Sequence, residues 1–143
     1  MEWIYDTGGR EKYYKALRVK DCVTRAIAIA TGMDYQETYK TLKKYNNGES
    51  PRNGVYTIVY SKMLENLGWE YISCSEDGKE TVYLRDGELP TEGVIICRIE
   101  RHAVAIVDGV IHDTFNSAGD GSKKVYGYWK KRCEEKDRMI ELE

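Results

Sequence analysis

The chain has 143 residues, enough for one domain around one core, with 41% hydrophobic and 32% charged residues and two prolines. Its 22 basic and 24 acidic residues leave a net charge of −2, which argues against a general nucleic-acid binder. The start, MEWIYDTGGREKYY, has no basic segment followed by a long apolar run, and no stretch approaches the roughly 18 apolar residues of a membrane span. These features set the expectation of a cytoplasmic protein with no membrane partner, its domain covering residues 1–143.

Residues 1–19 give no firm pattern, although Tyr13, Tyr14, Ala16 and Leu17 could form a short helix. The first clear helix runs from Cys22 to about Thr31, with Asp21 as N-cap and Gly32 as C-cap. Val23, Ala26, Ile27 and Ala30 repeat at helical spacing, and Ala28 and Ile29 widen the apolar surface. Arg25 is the one charge on a helix that belongs in the interior. A second helix opens at Asp34, three residues before Glu37 in capping-box spacing, and stops near Asn46-Asn47-Gly48. A third covers about Tyr56 to Leu67 and ends at Gly68.

Beyond Gly68 the pattern turns to strands: WEYIS (69–73), TVYL (81–84), VIICRIE (94–100), HAVAIV (102–107), VIHDTF (110–115) and VYGYW (125–129). Helices first and an antiparallel sheet second make the class α+β. The basic runs Lys43-Lys44, Lys123-Lys124 and Lys130-Lys131-Arg132 read as solvated faces. Cys22, Cys74, Cys97 and Cys133 contain no close pair, so zinc and disulfides are not expected. Cys74 and Cys97 read as core residues on strands, and no cofactor is expected.

Asp108-Gly109 between two apolar runs signals a two-residue hairpin loop. Val107 then faces Val110, Ile106 faces Ile111 and Ala105 faces His112. Side chains alternate along strands, which puts His102, Val104 and Ile106 on one face with Ile111, Asp113 and Phe115. His102 and Asp113 become diagonal neighbours, about 7–8 Å apart at Cβ. A carboxylate on an apolar face needs a partner, and His102 is the polar group available. His112, on the other face with no evident carboxylate, reads as structural.

A helix N-terminus lowers the pKa of a thiol placed there, and a nearby imidazole takes its proton. Cys22 as nucleophile, His102 as base and Asp113 as the group orienting it make a catalytic triad. Asp21 opposes thiolate formation unless it caps the helix or pairs with Arg25 or Lys20.

In this order, DCVTRAIAIATG, ERHAVAIVDG and VIHDT resemble the cysteine helix, histidine strand and third-member strand of the papain-like cysteine peptidase superfamily, nearest to its C39-like group. The chain is also similar to small phage-borne proteins with a DGVIHDT-like segment. The D-C-x-x-R-A pattern is similar to the nucleophile helix of ovarian-tumour-type deubiquitinases, though the Gly-Asn context before the cysteine is absent. The resemblance spans about residues 20 to 129. It implies a papain-like fold in which a buried central helix packs on a C-terminal antiparallel sheet. It also implies a cysteine hydrolase cleaving a peptide, isopeptide or other amide bond in a protein or peptide substrate. Transglutaminase or deamidase chemistry would use the same three residues.

The oxyanion-hole Gln common to papain-like enzymes, about six residues before the cysteine, is replaced by Ala16. A backbone N–H or Asn53 would have to serve instead. That departure and the twelve tyrosines favour an alternative: a catalytically weak or inactive papain-like scaffold acting as a binding or inhibitory module, such as a phage protein engaging a host factor. A small-ligand binder using the same cleft is a third reading.

Overall fold

The structure, a computed structural model, describes residues 1–15 and 19–133. It is α+β, with three α-helices and a six-stranded sheet. The chain begins with β1 (Trp3–Tyr5) and a 3₁₀ turn at Arg10–Lys12. Next come α1 (Cys22–Thr31), α2 (Tyr35–Tyr45) and α3 (Thr57–Asn66). Then follow β2 (Trp69–Ser73), β3 (Val94–Ile99), β4 (His102–Val107), β5 (Val110–Asp113) and β6 (Gly127–Lys131).

The helix boundaries follow local chemistry. Gly32 closes α1 in the left-handed region at φ 75°, its N–H bonded to the Ala28 carbonyl. The Asp34 carboxylate caps α2 by accepting from the Gln36 and Glu37 N–H groups. Asp21 occupies the N-cap position of α1, yet its side chain makes no bond to the first turn.

The sheet order is β1-β5-β4-β3-β6-β2. It is mixed rather than antiparallel, because β1 pairs in parallel with β5, Trp3 facing Ile111 and Tyr5 facing Asp113. Three exposed residues with no alternation carry no strand signal of their own. The 81–84 segment is not a strand either. It is tied to the 123–125 segment through one bridge, Tyr83 to Lys124, and the bonds Leu84 N to Lys123 O and Val125 N to Val82 O. Leu84 is nevertheless fully buried. The last strand begins two residues later than its sequence pattern predicts. Of the proposed helix at 13–17, Tyr13 and Tyr14 follow the 3₁₀ turn; residues 16–18 lie outside the described part.

Two cores form, one on each side of the sheet. Val23, Ala26 and Ile27 of α1 meet Leu42, Met63 and Leu64 of the other helices over Ile96, Ala103, Ala105 and Trp129. On the far side Ile95, Cys97, Val104, Ile106 and Ile111 pack against Leu84, Leu89, Ala118 and Val125 from loops. The three basic runs are exposed. Among the described residues no helix is long and apolar enough to cross a membrane.

Candidate active site

Cys22 opens α1, His102 opens β4 and Asp113 closes β5. The hairpin joining the last two has the anticipated register: Val107 faces Val110, Ile106 faces Ile111 and Ala105 faces His112. Asp108 and Gly109 both have positive φ, 47° and 79°, the conformation of a type I′ turn. The recorded rungs between β4 and β5 stop at Ala105 and His112. His102 and Asp113 lie past them, at the end of the sheet where α1 starts.

There the His102 Nε2 is 2.6 Å from Asp113 Oδ2. That pairing occupies Nε2. Cys22, His102 and Ala103 line one cleft, and the thiol senses both the imidazole and the Ala103 N–H. Burial pushes the thiol pKa up. The His102 hydrogen bond and charge, the Ala103 N–H and Arg25 outweigh it, and the thiol falls below its ordinary value. For His102, burial disfavours the charged ring, but Asp113 and Cys22 together push it up to about 9. Asp113 is drawn down, against burial, by His102, the Thr114 N–H and Arg25. All three directions shift the balance toward a thiolate–imidazolium pair. Phe115 packs against the imidazole, ring centroids 5.1 Å apart.

Asp21 does not sit beside the sulfur as an unopposed charge. Its carboxylate is fully buried and ringed by Arg10 (3.1 and 3.2 Å), Arg25 and the Tyr35 hydroxyl (2.7 Å). Arg25 turns its other Nη to Asp113 Oδ1 at 3.1 Å. Two carboxylates thus share two guanidiniums in the interior, a pairing that buried charges require. Sequence reasoning assigned Arg25 no part in the triad. The available signal was a lone charge on an apolar helix, four residues after an aspartate. Arg10 carried no comparable signal, because only the folded N-terminal segment brings it to Asp21.

His112 has a carboxylate partner after all: its Nδ1 is 2.9 Å from Asp6 Oδ2. Asp6 follows the strand the sequence pattern did not reveal. Cys97 is buried in the second core and burial raises its pKa; Cys74 lies half-buried against the same core, raised for the same reason. Cys133 is exposed.

A cleft of about 790 Å³ opens over Cys22 and His102, walled also by Tyr60, Arg98 and Phe115. A second, of about 670 Å³, adjoins it and shares Lys20, Gly54, Val55 and Arg101. Asn53 lines the second cleft and bridges to Lys20, two residues before Cys22. The Ala16 position lies outside the described residues. The first-turn N–H groups of α1, to which the Asp21 side chain makes no bond, remain beside the thiol. Comparison with protein-family models, with curated proteins and with solved structures found no match.

Proposed function

We propose that the protein is a cysteine hydrolase of papain-like type that cleaves an amide bond, in a peptide, an isopeptide or another amide. The observation that carries this reading is the partly buried His102–Asp113 pair, in one cleft with a thiol at the head of a helix. The Cys22 thiolate attacks the carbonyl carbon, and the carbonyl electrons move to oxygen. First-turn N–H groups of α1 receive the resulting oxyanion. On collapse the C–N bond breaks, and the amine leaves with a proton from His102. The acyl group stays on sulfur as a thioester. His102 then takes a proton from water, the hydroxide attacks the thioester, and the carboxylate departs as the thiolate is restored. Asp113 keeps the ring oriented with Nδ1 toward the sulfur throughout.

Alkylation by iodoacetamide, followed by peptide mapping, tests the first step. Cys22 is expected to label at pH 6–7 at least roughly tenfold faster than a free thiol of pKa about 8.5. Labelling in His102→Ala should slow and shift to higher pH, because burial then meets only the Ala103 N–H and Arg25. A wild-type Cys22 no faster than a free thiol would overturn the hydrolase reading in favour of a binding module.

A further inference from the structure

The cleft over Cys22 holds charge that the proposed chemistry does not use. Arg25 lines it, but its guanidinium is committed to Asp21 and Asp113. Lys20, Arg98 and Arg101 line it too, and among the described residues none of the three has an ion-pair partner. Among the described residues the one anion lining the cleft without an ion-pair partner is Glu100, in a chain whose net charge is −2.

Arg98 differs from an ordinary surface arginine. It is half-buried at the end of β3. Its guanidinium lies 5.1 Å from the centre of the Tyr126 ring, and its Nη1 donates to the Tyr71 hydroxyl at 3.4 Å. Stacking and a neutral hydrogen bond hold the planar fork in place without neutralising it. The nucleophile is close by. Burial pushes the Tyr60 phenol up, Arg98 opposes the shift and Cys22 adds to it, so the phenol senses both groups. Arg101 stands exposed at the rim, in the turn between β3 and β4 and at the junction of the two clefts. A held guanidinium and a second cation at the rim suit a carboxylate, which accepts two parallel N–H bonds.

We infer that the cleft selects acidic peptide segments, with a carboxylate near the bond attacked bound by Arg98 in the cleft and by Arg101 at its mouth. The assignment rests on reading the cleft as a site that cleaves peptides. A polynucleotide fits less well, since it calls for a continuous basic track, and the adjoining cleft carries Glu49.

Binding without turnover separates this inference from the hydrolase reading. Cys22→Ala protein, residues 1–143 labelled with ¹⁵N, is titrated with acetylated Ala-Glu-Ala amide, its Gln and Lys counterparts, the Ala-Ala-Glu free acid and a thymidine hexanucleotide. The Glu peptide is expected to shift the Arg98 and Arg101 side-chain N–H signals and to bind roughly tenfold tighter than the Gln peptide, the scale of one charge-assisted hydrogen bond. Arg98→Gln and Arg101→Gln should each reduce that preference. Tighter binding of the free acid than of the amide would assign the site to a chain terminus instead of an acidic side chain. Equal affinity for Glu and Gln peptides, or tighter binding of the hexanucleotide, would overturn the inference. Iodoacetamide labelling of the wild type reports on the hydrolase reading alone, so the two can fail separately.

Discussion

Arg25 is the residue on which the site's charge balance turns. It touches both Asp21 and Asp113 and is almost fully buried. Replacing it with Met removes a cation from between two carboxylates. Breaking a buried pair by deleting one partner costs about 3–5 kcal/mol, and a urea titration of Arg25→Met is expected to show a loss of that order. The orienting role proposed for Asp113 has its own readout. Against burial, its hydrogen bond and charge act with Cys22 to raise His102 to about 9. An NMR titration of the His102 ring is expected to give a midpoint near that value. In Asp113→Asn the carboxylate no longer stabilises the imidazolium, so the midpoint should fall, and the ring should lose its proton at lower pH. An unchanged midpoint would mean that Asp113 does not govern the ring's charge.

At the scale of elements, the β4–β5 hairpin and β6 place the site in different ways. The hairpin does so through its two-residue loop, whose positive φ values set the register that brings His102 and Asp113 to one end. β6 does so by closeness of approach. It lies between β2 and β3, and at Gly127 the backbone passes directly over the Tyr71 ring. A Cβ there would overlap that ring and come 2.7 Å from the Ile72 carbonyl oxygen. The ring and the paired strand have little room to yield. Gly127→Ala is expected to destabilise the fold by about 1–3 kcal/mol, the range for overpacking, measured as a lower urea midpoint at unchanged slope. A stability equal to wild type would mean that β2 and β6 can separate freely.

Over the whole molecule, the N-terminal segment fastens the far side of the site. Trp3 Nε1 and the Asp6 N–H both donate to the Asp113 carbonyl, at 2.9 and 3.0 Å. Asp6 also holds His112, and Arg10 reaches Asp21. A chain lacking residues 1–9 loses β1 and these anchors of Asp113. Calorimetry should show a melting temperature lower by roughly 5 °C or more, the scale of about 2 kcal/mol in a domain of this size. Cys22 labelling should slow in parallel if the N-terminal segment holds the triad. Unchanged labelling would confine its role to stability.

The legible parts were those whose signal is local. Apolar spacing, the Asp34 cap and Gly32 marked the helices, and alternation with Asp108-Gly109 marked the hairpin. The pairing of His102 with Asp113 was legible because a two-residue loop has a fixed register, and register decides which side chains share a face. Cys22 stood out only by its place at a helix start. Tertiary structure alone decided the rest. It made the sheet mixed, because a three-residue strand is defined by the neighbour it pairs with. It drew the Asp21 carboxylate away from the helix start toward Arg10, Arg25 and Tyr35, because a buried carboxylate goes where positive charge and donors gather. It also set Arg98 at the cleft without an ion-pair partner among the described residues. A sequence states that a charge is present, whereas the folded chain determines whether anything neutralises it.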